Sequence, residues 1–266
     1  MNSPVHRTVT AAVMIGLCAI GVAGRAEIPP ALASAVQELR AQRSYSWEVI
    51  NADPGPVAQS TDTRRGRVTT VQQNLAPHVK GSLSSTGDML LKRDWPDGLQ
   101  LDTVVSATGQ MVTLTPEGWL TNREILSLIA EERIGASEPS ARLAWLRRAD
   151  RPDTRRPDEE LSAAVRAAEN FEVSGDTYIA RIRVSENTRE RNGLSALTIT
   201  LTVNLRGGVV RDYQLTVQGS RAVARVGIEI PLSDDRFVIL SYLPVSKLDV
   251  PDEAWAKLKA LPTRDR

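Results

Sequence analysis

Residues 197–217 read LTITLTVNLRGGVVRDYQLTV and carry the strongest local evidence for the fold. Apolar side chains occupy every second position from Leu197 to Leu205, with threonine or asparagine between them. This period of two predicts a strand with one buried face. After Gly207-Gly208 the alternation resumes through Tyr213, Leu215 and Val217, with Arg211 as its polar break. Because two-residue hairpin turns need positive φ, the glycine pair predicts a hairpin with one apolar face.

The chain before this hairpin predicts a helix followed by short strands. Residues 29–43 begin with Pro-Pro and place apolar residues at helical spacing. Tyr45, Trp47 and Val49 then alternate with polar residues, which indicates a half-buried strand. Further short strands, separated by turn residues, are predicted around Arg67–Val71, Met89–Arg93, Leu99–Val105 and Gln110–Thr115.

The middle of the chain predicts helices. Thr121 and Glu124 form a capping-box pattern ahead of a helix that runs to about Arg133. Two more helices are expected at about Pro139–Arg148 and Asp158–Ala168. After the hairpin, strands are expected at about Val223–Leu232 and Phe237–Leu243, the second buried on both faces, followed by a helix from Pro251.

Strands in runs, joined by turns, indicate an α+β fold built on an antiparallel sheet. We expect helices to cover one face of a curved sheet. We see no internal repeat and no domain boundary, so residues 27–266 are predicted to form a single domain.

Composition limits the classes of function. The 266 residues include 33 Lys plus Arg against 32 Asp plus Glu, and 41% are hydrophobic. This balance argues against a disordered polyelectrolyte and gives no net attraction to nucleic acid. Arginine clusters at 64–67 and 147–156 are interpreted as solvated surface or linker.

The amino terminus predicts export. His6 and Arg7 precede an apolar run from about Val9 to Ala23, and Gly24-Arg25-Ala26 fits a cleavage site. We therefore expect residues 1–26 to be a signal peptide and the protein to be periplasmic or secreted. A retained anchor is the alternative, although the run is short for a membrane span. The mature chain would have 33 − 2 = 31 basic against 32 acidic residues, and no transmembrane span.

Cys18 lies inside the apolar run and is the only cysteine. Lipid attachment to it is disfavoured because Leu17, not a small residue, precedes it. With the leader removed, neither a disulfide nor a thiolate nucleophile nor a cysteine metal site is available.

The mature sequence holds no catalytic motif, so we predict no enzyme, no metal and no cofactor. His78 would be its only histidine, interpreted as a loop residue, and no Gly-x-Ser-x-Gly turn or phosphate-binding loop accompanies it. Paired carboxylates leave a hydrolase as a third hypothesis, which would depend on Asp94 or Asp97. The remaining acidic pairs are interpreted as helix first turns and loops: Asp158–Glu160, Asp234 with Asp235, and Asp252 with Glu253.

Five tryptophans stand among eleven aromatic residues. Each is more typical of a core than of a ligand groove, although indoles suit both. Tyr45 and Trp47, on one face of the first strand, are the best candidates for a groove.

The arrangement resembles the family of LolA, LolB and LprG-type periplasmic lipoprotein or lipid carriers, and the RseB-type sensors that share their half-barrel. The likeness spans about residues 29–260. It rests on the leader, the helix before the Tyr/Trp strand and the Gly-Gly hairpin, together with Pro-Glu-Gly-Trp at 116–119 and Val-Pro-Asp-Glu-Ala-Trp-Ala-Lys-Leu at 250–258. The resemblance implies a curved antiparallel sheet, helices on its concave face and a cavity for acyl chains between them.

We therefore expect a non-enzymatic binding protein for an apolar small molecule or a lipidated protein. The alternative is a protein-interaction or sensor module with an envelope partner. The residues expected to line the cavity are Tyr45, Trp47, Trp119, Ile199, Leu201, Tyr213 and Leu215.

Overall fold

The structure is a computed structural model. It describes residues 27–51, 58–62, 67–71, 76–135, 140–150, 152–184, 194–223 and 228–261. The predicted signal peptide and Cys18 lie outside these ranges, as does part of the strand expected at 223–232. No helix within these ranges is both long enough and apolar enough to cross a membrane.

The described chain is α+β, with one large open antiparallel sheet, as predicted. The helices are α1 (Pro30–Ala41), α2 (Asn122–Gly135), α3 (Ala141–Asp150), α4 (Pro157–Ala167) and α5 (Asp252–Lys259). The strands are β1 (Tyr45–Asn51), β2 (Ala58–Asp62), β3 (Arg67–Val71), β4 (His78–Leu83), β5 (Met89–Asp94), β6 (Gln100–Val105), β7 (Met111–Thr115), β8 (Gly118–Thr121), β9 (Ala168–Ser174), β10 (Thr177–Ile182), β11 (Leu194–Arg206), β12 (Val209–Val223) and β13 (Ile228–Ser241).

Eleven strands form the large sheet in the order β8-β7-β6-β5-β4-β1-β13-β12-β11-β10-β9, and β2 pairs with β3 separately. The chain divides into two compact units. The first unit holds residues 1–37, 51–76 and 160–237, and the second holds 38–50, 77–159 and 238–266. Strand β13 contributes residues to both. The prediction of a single domain stays a prediction.

The second unit contains the meander β4–β8, and its turns follow the expected chemistry. Gly98 ends the Pro-Asp-Gly turn between β5 and β6 with φ 84°. Gly118 follows Pro-Glu at the β7–β8 turn with φ 98°. Glycine suits both places because an L side chain rarely adopts positive φ. The predicted capping box is confirmed: the Thr121 amide donates to Glu124 at 2.7 Å, and the Glu124 amide donates to the Thr121 hydroxyl at 3.2 Å.

Helices pack on both faces of this meander. Leu101 of β6 belongs to a core cluster with residues of α2 and α3, including Ile125 and Leu146. Val104 of the same strand packs instead with residues of α5, including Leu258. Positions 101 and 104 point to opposite sides of a strand. The expectation that helices cover a single face is therefore wrong for this part of the sheet, because the carboxyl-terminal helix returns to the other side.

The first unit contains the long hairpin predicted at Gly207-Gly208. Strand β11 ends at Arg206 and β12 begins at Val209, and both glycines have positive φ, 60° and 83°. The bulge beside it, between Asn204 and Leu205, shifts the register where Arg211 breaks the alternation.

Several expectations about local structure are wrong. His78 is the first residue of β4 and pairs with Asp94 of β5, so it is not a loop residue. The sequence analysis does not predict strands β2, β4, β8, β9 and β10, since they are short or carry polar residues, and pairing with neighbouring strands rather than hydrophobic period selects them. The stretch Phe237–Leu243 is not buried on both faces: Val238 and Leu240 are buried, whereas Phe237 and Ile239 are only partly buried.

Candidate apolar ligand site

The first unit presents a continuous apolar face on β9–β12. Residues paired across antiparallel strands lie on the same face, so the register defines transverse rows of side chains. Three rows of four residues are apolar throughout: Val173–Tyr178–Val203–Tyr213, Phe171–Ala180–Leu201–Leu215 and Ala168–Ile182–Ile199–Val217. We call these twelve residues the apolar face. At ordinary strand spacing it measures about 14 Å in each direction.

The burial of the apolar face falls from its centre to its sides. Leu201 and Val203 of β11 are fully buried, and their β10 neighbours are 3% and 5% exposed. Tyr213 of β12 and Ala168 of β9 are buried as well. Leu215 and Val217 of β12 are only half-buried. On β9, Phe171 is half-buried and Val173 is 55% exposed. Solvent therefore reaches apolar side chains at both sides of the face.

The opposite face of the same strands is mostly polar, although it also carries Ile179 of β10, which pairs with Thr202 and is 37% exposed. Thr200 of β11 pairs with Thr216 of β12, and Thr202 pairs with Gln214. All four side chains are partly exposed. The alternation in the sequence thus separates an apolar side from a hydroxyl and amide side.

A buried ion pair holds the part of helix α4 that belongs to the first unit, which begins at Glu160. The Arg236 guanidinium of β13 donates two hydrogen bonds to the Glu160 carboxylate, both 2.9 Å long. The Glu160 side chain is 2% exposed. A buried carboxylate needs this compensation, and the parallel pair of bonds supplies it. Leu161, Ala164 and Val165 on α4 are buried, and α4 leads directly into β9.

Four of the predicted ligand residues lie together on the apolar face. Leu201 pairs with Leu215, Tyr213 lies in the adjacent row, and Ile199 lies in the row on the other side. Leu215 is the one at which a ligand could arrive without rearrangement, since the other three are buried.

Tyr45 and Trp47 lie in the second unit and contact each other, with ring centroids 5.5 Å apart. Both are buried. The Tyr45 hydroxyl donates a 2.6 Å hydrogen bond to Asp158, which also accepts from Arg156 at 3.0 Å. Burial, followed by the bond to Asp158, raises the pKa of the Tyr45 hydroxyl well above its usual range. Because its side chain is covered and its hydroxyl is satisfied, Tyr45 is a core residue here.

Trp119 is not on the side of the sheet that carries Tyr45 and Trp47. Registers from β1 through β4–β8 place Trp47 in one row with Leu91 and Leu120. Trp119, one position before Leu120, therefore points the other way, into the cluster with α5. Grouping Trp119 with Tyr45 and Trp47 is wrong, because the four-residue strand β8 gives no clear signal in the sequence.

The sequence analysis does not predict the buried cation Arg93, which lies on the β5–β7 part of the sheet. Arg93 is 4% exposed and donates to the Thr103 hydroxyl at 2.6 Å and to the Arg148 carbonyl at 3.2 Å. Desolvation lowers the pKa of Arg93 to about 10, so it stays charged at neutral pH. The sequence does contain a signal for this residue, because Arg93 shares one face of β5 with the apolar residues Met89 and Leu91. The Arg148 carbonyl lies near the end of α3, where a cation is stabilising.

Asp97 and several other acidic candidates are engaged in structure, and Asp94 is the last residue of β5, where it pairs with His78 of β4. Arg148 donates two hydrogen bonds to Asp97, at 2.9 and 2.7 Å. Although burial opposes it, this partner lowers the pKa of Asp97, which suits a fixed anion better than a general acid. His78 contacts Glu48 at 2.9 Å. Asp252 and Glu253 lie in the first turn of α5. Within the described ranges no cluster of three or more His, Cys, Asp or Glu residues could hold a metal.

Comparisons with known proteins add no relative. No family model matches the chain, and no curated protein matches it. The resemblance to LolA-like carriers therefore depends on the sequence features quoted above.

Proposed function

We propose that this is an exported, non-enzymatic binding protein of the LolA-like class, which holds an acyl chain or another apolar ligand on the apolar face of β9–β12. The observation that supports the proposal most is the graded burial of that face. Its centre is covered, but Leu215 and Val217 on one side, and Phe171 and Val173 on the other, stay partly exposed.

The physical reason is the cost of leaving such surface in water. Each methylene group moved out of water contributes about 0.8 kcal/mol to binding. An acyl chain that packs along Leu215 and Val217 of β12 therefore gains several kcal/mol of binding free energy, from which the cost of ordering the chain is subtracted. This gain in binding free energy needs no hydrogen bond or ion pair between protein and ligand. The ligand therefore requires an apolar chain, and its headgroup stays in solvent.

A fluorescent fatty acid, whose emission rises in apolar surroundings, tests the proposal by titration into the full chain. We expect saturable uptake by the parent protein and about tenfold weaker uptake by Leu215→Gln. The matched control is Thr216→Gln, because Thr216 is the next residue of β12, is also half-buried and faces the opposite side. Circular dichroism verifies that both variants fold.

A parent protein that takes up no fatty acid, and that carries no lipid in native mass spectrometry, would refute the proposal. Equal loss of uptake in both variants would also count against the apolar face.

A protein partner in the cell envelope is the second candidate function. It is favoured by Val173, an exposed apolar residue on β9, the terminal strand of the sheet. Val173→Asp should then reduce capture of the partner from envelope extracts, whereas Leu215→Gln, on the other side of the apolar face, should leave capture near the parent level. Loss of uptake with unchanged capture would favour the ligand instead.

A further inference from the structure

The large sheet has two edge strands, β8 and β9, and the outer edge of β8 is occupied. The Lys257 ammonium donates to the Trp119 carbonyl. The Thr121 amide, two residues further on, donates to the Glu124 carboxylate. Because residues two apart direct their backbone groups to the same side, and neither partner belongs to the sheet, both bonds lie on the outer edge of β8. Such cover hinders pairing with a further strand.

The outer edge of β9 carries two residues whose backbone groups point away from β10. Residues 175–176 form the two-residue turn of the β9–β10 hairpin, so Ser174 and Thr177 are the hydrogen-bonded pair that closes it. Hydrogen-bonded pairs alternate along an antiparallel ladder, which turns the N–H and C=O groups of Val173 and Phe171 outward. Within the described part of the chain, no hydrogen bond forms to these four groups.

A bulge limits the length of this open edge. Asn170 is the unpaired residue between Glu169 and Phe171, and it has φ 41°. Edge bulges interrupt pairing with a further strand. The regular part of the edge therefore comprises residues 171–174, which suits a short added strand.

The side chains of this edge favour apolar partners on one face. Phe171 and Val173 both belong to the apolar face, where Phe171 is half-buried and Val173 is 55% exposed. Residues paired across strands lie on the same face, so the two residues of an added strand opposite Phe171 and Val173 would cover them. Apolar side chains at those two positions remove the most apolar surface from water.

Net charge does not select the partner of this edge. Acids and cations are nearly balanced around the hairpin: Glu169, Glu172 and Asp176 against Arg166, Arg181, Arg183 and Arg206. The residue directly opposite Glu172 does matter, since opposite charges in a cross-strand pair stabilise it and like charges destabilise it. Glu172 is exposed and forms no ion pair within the described residues.

A second copy of the chain fits this edge poorly. In a two-fold antiparallel pair, both outward residues are used only when Phe171 of one copy faces Val173 of the other. That register places Glu172 directly opposite Glu172 of the second copy, which is a like-charge pair.

We propose that β9 accepts an extended segment of another protein as an added strand, with apolar residues opposite Phe171 and Val173 and a lysine or arginine opposite Glu172. Backbone hydrogen bonds give the affinity of such a complex, and the alternating side chains give its selectivity. The inference rests on the second candidate function, a protein partner, and specifies the chemistry of that partner.

Two blocked peptides, Thr-Val-Lys-Val-Thr and Thr-Val-Glu-Val-Thr, test the proposal with the full chain. Ligand-observed NMR is the measurement, because so short a strand binds weakly. We expect the parent to bind the lysine peptide about fivefold more tightly than the glutamate peptide, and Glu172→Lys to reverse this order. Glu131→Lys, at another exposed glutamate on α2, is the matched control and should keep the order of the parent.

N-methylation separates strand addition from apolar contact alone. In the bound lysine peptide both valine N–H groups face β9, whereas the lysine N–H points away. Methylating both valine nitrogens should weaken binding about tenfold or more, since the hydrogen bonds are lost. Methylating the lysine nitrogen should leave binding near that of the unmodified peptide.

No binding of the lysine peptide, equal loss from both methylations, or an unchanged order in Glu172→Lys would each overturn the proposal. Loss of envelope capture in Val173→Asp without peptide binding would refute strand addition alone and leave the protein-partner function standing. Peptide binding with unchanged capture would support strand addition and count against a partner in the envelope. Fatty acid uptake by Glu172→Lys should equal that of the parent, because Glu172 faces away from the apolar face.

Discussion

Gly81 and Trp47 illustrate how a single residue position fixes the packing of two neighbouring strands. Trp47 of β1 pairs with Gly81 of β4, and the indole lies across the glycine. A Cβ built on Gly81 would lie 2.0 Å from the indole ring, well inside contact distance. The glycine is therefore required by the ring above it, and its φ plays no part.

Gly81→Ala should destabilise the protein by about 1–3 kcal/mol, because the added methyl forces the indole or the strand to move. Chemical denaturation followed by circular dichroism measures the change in the free energy of unfolding. Adding Trp47→Leu should recover part of the loss, since the smaller side chain leaves room for the methyl. Additive losses in the double variant would contradict this account.

Glycine is required at position 208 for a different reason, namely its backbone conformation. Nothing lies within 4 Å of a Cβ built on Gly208, but its φ is 83°, a value that L side chains rarely adopt. Gly208→Ala should cost about 1–2 kcal/mol. Gly208→Asn should cost less, because asparagine tolerates the left-handed region. Thermal unfolding of both variants is the measurement, and equal losses would argue against a backbone origin.

Helices of the second unit are linked by charged groups as well as by their cores. Arg142 of α3 donates to Glu117 in the β7–β8 turn at 2.8 Å and to Glu132 of α2 at 2.8 Å. These bonds lower the pKa of both glutamates below their usual range. A network of this kind contributes more to the free energy of unfolding than an isolated surface ion pair does, although both glutamates remain in contact with solvent.

The contribution of Arg142 should depend on pH in a defined direction. A carboxylate with a lowered pKa in the folded state binds fewer protons than in the unfolded state, so its stabilisation is present at neutral pH and is lost as pH falls through the folded pKa. Arg142→Met should therefore be less stable than the parent at pH 7, and the difference should shrink in acid. Denaturation curves at a series of pH values measure it, and a pH-independent difference would point to lost packing instead.

At the scale of the whole molecule, aromatic residues and the apolar face are unevenly distributed. All five tryptophans, at positions 47, 95, 119, 145 and 255, belong to the second unit. The apolar face belongs to the first unit. Strand β13 and helix α1 each contribute residues to both units, and the chain passes from one unit to the other repeatedly. We therefore expect the chain to unfold in one cooperative transition.

Leu201→Ala tests this coupling. Leu201 is fully buried in the first unit, so its truncation should cost about 2–5 kcal/mol. If unfolding is cooperative, the midpoint reported by tryptophan fluorescence falls together with the midpoint from circular dichroism. A fluorescence midpoint equal to that of the parent would show that the units unfold separately. Leu146→Ala, at a buried position of the second unit, is the matched control and should shift both signals.

Features that depend on neighbouring residues are predictable from the sequence. The alternation of 197–217 and its glycine pair predict the long hairpin, and Thr121 with Glu124 predict the start of α2. The alternation also places Ile199 with Leu201 on one face of β11, and Tyr213 with Leu215 on one face of β12, because a strand repeats every two residues. The bulge between Asn204 and Leu205 then brings the two pairs to the same face, since without that shift odd-numbered residues of β11 would pair with even-numbered residues of β12.

Features that depend on long-range pairing are visible only in the folded chain. The side of the sheet on which Trp119 lies follows from register through β8, and the covering of both meander faces follows from the return of α5. The exposure of Val173 likewise follows from the position of β9 at the edge of the sheet, and the half-burial of Leu215 on β12, a strand with neighbours on both sides, is visible only in the folded chain. Burial is set by distant neighbours, and a local pattern carries no information about which neighbours those are.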